Sequence, residues 1–506
     1  MIPSRNLSFG LLLAVAMAGV PRLASAVDIT PSIEVGEIYT NNVNLQPAGL
    51  EEDEWVTRVA PRLRVAYAGP SLALDVDYTL ESLFYARDSS RNEIYNQLES
   101  SALLDVLGKA LQLAGDAEVR QVNLTPERAV ASTNINSTMN RGDRTVVSGG
   151  PRWSKDVFGA SRIDGYATAA RINYSGIDTQ DVNAVYGRFA LHSDPTLWRS
   201  VTSYELAYEY HRFDYEISDT ATVQTTYLQL GYAITDGLEL LGLAGLDSDI
   251  ENLKDSSLSK GRWEAGMRAS SGSSVLRASI GKRYFGTTYA FNWENIQPDA
   301  AYRVGYTEMP VTTELSSLEQ MRTPAVPPVG QAGQVGIPSD SSLPPDSSLD
   351  RQGSPIRYVL KRGNASADWR LFRTAVRVAL FWEDRQNQVM PGLAAGSGLS
   401  LSDEQAYGGV LRFQWEPGMR SMLALSGGWT HREVNDLAGS GCVPGGSASC
   451  SVPRYSDQLK NVQLEFNYNL GLRTSLRTGL GWLSRTGSLL PDYDELFARV
   501  QLAHTF

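Results

Sequence analysis

Apolar and polar positions alternate with a period of two over most of the chain. In "EWVTRVAPRLRVAY", Trp55, Thr57, Val59, Pro61, Leu63, Val65 and Tyr67 share one face, and Arg58, Arg62 and Arg64 the other. After the short break "AGPS", "LALDVDYTLESLF" places Leu72, Leu74, Val76, Tyr78, Leu80 and Phe84 on one face and Asp75, Asp77 and Glu81 opposite. The same alternation recurs in "SYELAYEYH", "RTAVRVALFWE" and "NVQLEFNYNL". Successive residues of a strand point to opposite faces, so this is strand patterning and not the 3.6-residue period of a helix. Each segment spans roughly 12 residues or more, whereas strands of soluble proteins average about 5–6. One short helix is expected near "SSLEQM".

The connections alternate in length. "AGPS", "LGKA", "TDG", "SSGSS", "EPGM" and "LGLR" are tight; residues 40–53, 124–141, 386–401 and 433–455 are longer and polar. The longest, 314–354, is rich in Pro, Ser and Gly and carries no strand pattern. Long strands joined by short turns on one side and long loops on the other predict an all-β fold: a transmembrane, antiparallel, up-and-down β-barrel of about 22 strands, with 20–22 the expected range. A crossing needs about 9–11 residues per strand, and in hydrocarbon every backbone group must pair, so the sheet must close on itself. An even strand count puts both termini on the periplasmic side. A soluble propeller or sandwich would show shorter strands at closer turn spacing. Trp55, Tyr67, Trp153, Tyr174 and Trp415 lie near strand ends, where an interfacial aromatic girdle belongs.

Composition alone resembles a soluble protein, with 42% apolar and 20% charged residues among 506. A barrel whose strands alternate lipid-facing and lumen-facing residues averages to the same values. The net charge of -11 argues against nucleic acid as a partner. The N-terminus reads as a secretory signal peptide over residues 1–26: Arg5, an apolar core from Phe9 to Val20, and Ala24-Ser25-Ala26 as the cleavage site. The mature barrel is then 27–506, beginning with a strand near 29–40 and leaving no room for a separate N-terminal plug. Cys442 and Cys450, in "CVPGGSASC", predict a loop closed by a disulfide in an oxidising compartment; two free thiols or half of a metal site are the other readings.

Little in the sequence points to catalysis. The four histidines are His192, His211, His431 and His504. His211 with Asp214, and His431 with Glu433, are the pairs an outer-membrane hydrolase could use, yet no nucleophile accompanies either. No His/Cys spacing suits a metal and no cofactor motif is present. Arg141-Gly142-Asp143 spells an adhesion tripeptide, which is also ordinary turn chemistry. The remaining candidate site is the lumen. Arg58, Arg62 and Arg64 would face the same interior as Asp75, Asp77 and Glu81, either as a charged channel lining with a transverse field or as a salt-bridged ladder that stiffens the wall.

The chain ends in "LFARVQLAHTF", with Ala498, Val500, Leu502, His504 and Phe506 on one face. This resembles the C-terminal signature that the barrel-assembly machinery reads in bacterial outer-membrane barrels, with Leu502, His504 and Phe506 as the signal positions. His504 departs from it, since an aromatic usually stands there. "ITPSIEVGEIYTNNVNL" and "GKRYFGTTYAFNWE" resemble a family of PEP-CTERM-system-associated outer-membrane proteins encoded near exopolysaccharide loci. The resemblance implies the bacterial outer membrane, contact with its lipid, and exopolysaccharide as a possible cargo. A channel for a polar polymer or solute is the leading expectation. A non-conducting surface scaffold for polysaccharide or sorted proteins is the alternative, and a hydrolase the third. Because 22-stranded barrels are usually plugged, loop 314–354 is expected to fold inward or cap the pore.

Overall fold

Strands this long, with one apolar face each, can satisfy their backbone only against equally long neighbours. In the computed structural model they do so around a full circle. The structure describes residues 27–506 apart from 109, 127, 158, 160, 176–178, 194–201, 217–219, 249–259, 313, 315–356, 388–402, 436–453 and 489–490. The signal peptide 1–26, Cys442 and Cys450, the "SSLEQM" helix and all of loop 314–354 except Glu314 therefore lie outside the described residues.

The strands are β1 (Asp28–Thr40), β2 (Glu54–Ala68), β3 (Leu72–Tyr85), β4 (Glu93–Asp105), β5 (Leu111–Asn123), β6 (Arg141–Val157), β7 (Ser161–Tyr174) and β8 (Val182–Ser193). They continue with β9 (Thr202–Tyr215), β10 (Ala221–Thr235), β11 (Leu238–Ser248), β12 (Gly261–Ser271), β13 (Ser274–Arg283), β14 (Gly286–Ile296) and β15 (Ala300–Thr312). The last seven are β16 (Arg357–Leu371), β17 (Thr374–Asn387), β18 (Asp403–Gly418), β19 (Ser421–Asn435), β20 (Tyr455–Asn469), β21 (Thr474–Gly487) and β22 (Tyr493–Thr505). Each strand pairs antiparallel with the next, and β22 pairs antiparallel with β1 from Thr40↔Phe497 to Ser32↔Thr505. The sheet is thus a closed 22-stranded barrel. At this seam Gly36 leaves no room for a side chain: a Cβ there would lie 2.5 Å from Val500 O and from Gln501 Cγ.

The register sorts the side chains. Trp55, Leu63, Phe84, Leu206, Tyr208, Leu380, Trp382, Val462, Leu464 and Phe466 point outward and are exposed. A continuous belt of this kind is far larger than the apolar patches that water-soluble proteins leave uncovered, and a lipid bilayer is the solvent that accepts it. Rings collect on the belt: Tyr39 lies 5.1 Å from Trp55, Tyr407 lies 5.5 Å from Trp429, and Tyr306 stacks on Trp382 at 6.4 Å. Trp415 joins them on the outer face. Tyr174 does not. Its place on β7, two residues from the fully buried Ile172, turns it inward against an apolar cluster. Among the described residues no helix is long and apolar enough to cross a membrane, which says nothing of strands. The chain is an outer-membrane β-barrel.

Candidate functional site: a charged lumen closed at its external mouth

The inward faces of β1–β3 carry the arginines and carboxylates singled out above. Arg64 Nη2 lies 2.8 Å from Asp75 Oδ2, and Arg62 grips Asp77 through both its Nε and Nη2. Arg58 Nε lies 2.5 Å from Glu81 Oε1, and Nη1 reaches Glu34 on the other side. Glu34 also holds Arg477 of β21 at 3.0 Å. The six residues are thus brought together as paired rungs on one wall. Their surroundings grade along the barrel axis: Arg64 and Asp75, near the periplasmic turn, are half exposed, whereas Arg58 and Glu81 are largely buried.

The gradient continues upward. Ile38, Val56, Leu83 and Tyr85 point into the lumen at the external end, and none is more than 6% exposed. What covers them is chain that folds back into the barrel. Val43, from the connection after β1, and Ile135, from the connection after β5, pack on them in one cluster. Segment 124–140 is the main inward fold. The Tyr85 hydroxyl donates to Ile135 O at 2.9 Å. Asn134 Nδ2 donates to Glu81 at 2.5 Å, tying the segment to the charged wall. Ser137 N–H donates to Val43 O at 2.9 Å, joining the two inner connections.

The far side is held by β20–β22. The Tyr493 hydroxyl accepts from Val130 N–H at 3.2 Å and donates to Val130 O at 3.1 Å. Arg485 donates to Pro126 O at 2.8 Å, and also to Arg128 O and to Asp457. Glu495, with no exposed surface, accepts from Thr40 Oγ1 and Asn136 Nδ2, each at 2.7 Å. Leu45, Ala131, Leu483 and Tyr493 pack as an apolar patch beside these bonds.

These contacts also fix the shape of the mouth. Pro126 stands three residues beyond the end of β5, yet it meets Arg485 of β21. Three extended residues plus one arginine side chain reach about 20 Å, while β5 and β21 of a round barrel of this strand number would stand about 30 Å apart. A second chord does the same. The Tyr215 hydroxyl, at the end of β9, donates to Glu314 Oε2 at 2.7 Å, and Glu314 is two residues beyond β15. The external mouth is therefore flattened, with its long axis running from around β2 to around β12. Glu314 is the described residue of segment 314–354, and it lies buried. The inner closure seen among the described residues comes from 124–140 and the connection after β1.

The catalytic candidates do not assemble. His211 points inward from β9 and stacks on Tyr186, with ring centroids 6.4 Å apart. Asp214 points outward, where it pairs with Arg212 at 3.0 Å. His431 Nε2 does lie 3.2 Å from Glu433 Oε1, but on the outer face, packed 4.9 Å from Tyr407. Arg141 of the tripeptide bonds Asn134 Oδ1 of the inner segment, and Asp143 accepts from Gln121 at 2.9 Å, so the motif is a strand end. In the external turn after β3, the Ser90 hydroxyl and backbone N–H hold the Asp88 carboxyl below the usual carboxylate range.

At the other end of the chain, Leu502 faces outward. His504 Nδ1 lies 2.8 Å from Thr474 Oγ1, and its ring meets Phe506 edge-on at 5.0 Å. Phe506 N–H donates to Pro31 O at 3.0 Å while its ring stays exposed.

Sequence reading passed over Arg485, Tyr493, Glu495 and Asn136. The signal available was indirect. Ile38, Val56 and Leu83 break the polar face of their strands, and Leu124, Val130 and Ile135 interrupt a polar connection.

No protein-family model and no curated protein matches the chain. Solved structures do align with it over nearly its whole length. OpdK of Pseudomonas aeruginosa, solved with vanillate, is 10% identical, with 95% of this chain and 99% of that one covered and a TM-score of 0.36. OccK2 (OpdF) of the same organism is 10% identical, with 95% and 98% covered and a TM-score of 0.37. The siderophore receptor PirA of Acinetobacter baumannii is 9% identical, with 96% and 81% covered and a TM-score of 0.45.

Proposed function

We propose that the barrel is an outer-membrane channel for polar solutes, held closed at its external mouth by segment 124–140, and that its cargo is a secreted exopolysaccharide. One observation carries the channel reading: inward charged residues are exposed near the periplasmic end, while the external end of the same lumen is filled by chain held by hydrogen bonds and small apolar clusters. A wall built only for stiffness needs no such asymmetry. The cargo rests on the likeness of "ITPSIEVGEIYTNNVNL" and "GKRYFGTTYAFNWE" to proteins of exopolysaccharide loci. On the same reading the barrel-assembly machinery inserts the chain after a signal peptide is removed.

Planar-bilayer recording tests the channel. Wild type should rest closed with brief openings, and a variant with 126–138 replaced by a short Gly-Ser link should conduct steadily. Silence from both wild type and the truncated barrel, in preparations shown to be folded, would sink the channel and leave the scaffold reading. Deleting the gene should stop polymer release; retained release with loosened surface attachment would also point to the scaffold.

A further inference from the structure

We infer that Arg268 and Arg277 form an anion-recognition site inside the lumen, so that the solute passed is a polyanion, such as an acidic sugar chain. This deepens the channel reading and rests on it. Arg268 of β12 and Arg277 of β13 are direct cross-strand partners. Their neighbours fix the facing: Trp263, Met267 and Ile280 are exposed on the lipid side, so the two guanidiniums point inward. Side chains directly opposite in an antiparallel pair have Cβ atoms about 5 Å apart, and like charges placed so destabilise the sheet. Both arginines are exposed, and neither makes an ion pair or hydrogen bond among the described residues. Glu239 stands opposite Arg268 on β11, but it accepts from Ser203 at 2.5 Å. On its other side Arg277 faces Asn292.

The neighbouring wall carries both signs. Asp368 is shared by Arg303 at 3.1 Å and Arg377 at 2.8 Å, and Glu294 stands directly opposite Arg303. On β3–β5 the like-charged cross-strand neighbours are carboxylates. Asp77, Glu99 and Glu118 form a row of direct cross-strand partners on β3–β5. Arg62 and Arg120 pair with the outer two, and Glu99, exposed between them, makes no ion pair among the described residues. The side-by-side forks of Arg268 and Arg277 suit carboxylate or phosphate. A cross-strand pair that costs stability and is left open to water fits a transient ligand better than a structural brace.

Two readouts on purified full-length barrel test this. In calorimetric titration an oligogalacturonate should bind wild type, a neutral malto-oligosaccharide of equal length should not, and R268Q/R277Q should lose at least about tenfold in affinity. Polyphosphate in the second arm tells which anion the site prefers; loss of either on the double substitution supports the site. In bilayers, the reversal potential across a salt gradient should shift toward cation selectivity in R268Q/R277Q. R64Q, whose partner Asp75 is already on the wall, serves as the control for a changed lumen charge. Equal polyanion affinity in wild type and R268Q/R277Q overturns the site even if the barrel conducts. Arginine-dependent binding by a barrel that never conducts would keep the site and remove the channel.

Discussion

At the scale of the residue, burial decides which rungs of the charged ladder matter to stability. Arg64 and Asp75 are both about half exposed, with side chains at 54% and 46%. Water screens such a pair, and its worth is about 0–1 kcal/mol. Arg58 and Glu81 stand at 18% and 8%, so each depends on the other for hydration it has lost. Replacing Glu81 by Gln should therefore cost about 1–3 kcal/mol, and more of it because Asn134 and Gln97 also donate to that carboxylate. The Asp75→Asn variant should be close to neutral. The temperature at which the folded, fast-migrating form is lost on a detergent gel measures both. Equal shifts would mean that burial does not set the ranking. The pairing partners of this ladder could be named from alternation alone. The grading of burial could not, because it depends on segments over forty residues away entering the lumen.

Among the elements, the closing pair β1–β22 carries the most consequence for assembly, since the barrel has edges until it forms. Phe506 N–H is the last donor of that seam, to Pro31 O, and the ring beyond it lies on the outer surface beside His504. Deleting Phe506 removes one hydrogen bond and one exposed ring, too little to unfold a finished barrel of this size. Assembly in cells should nonetheless fall several-fold, read as the heat-modifiable fraction in outer-membrane extracts, while refolding into detergent stays near wild type. Parallel loss in both would make Phe506 an ordinary strand end. The strands were legible because period-two alternation survives wherever one face meets lipid. Tyr174 was misplaced on the girdle because an aromatic near a strand end has the same local pattern whether it faces lipid or a buried inner cluster.

For the whole molecule, what alternation cannot encode is which connection turns inward. The Pro-rich run at 314–354 is the longest connection, yet one less than half as long, 124–140, is the one whose inward path is seen among the described residues. Its sequence is polar, and only Leu124, Val130 and Ile135 hint at a second packed face. The energetics suit a gate. The segment is held on the β21–β22 wall by Arg485, Tyr493 and Glu495 through five hydrogen bonds, each worth about 0.5–1.5 kcal/mol net and somewhat more at the charged groups. Such a latch can open without unfolding the wall, whose ladders are intact on either side. Changing Arg485 to Ala and Tyr493 to Phe together removes four of its bonds, and the Arg485–Asp457 bond with them, and leaves every strand pairing in place. If the bonds hold the closed state by about 3 kcal/mol, the ratio of open to closed time rises by about a hundredfold. Single-channel records should show this as long openings at unchanged unit conductance, because the wall that sets the open width is not altered. The detergent-gel melting temperature should move by no more than a few degrees. Larger unit conductance, with no change in open time, would mean that 124–140 shapes the pore as a fixed constriction and does not move as a gate.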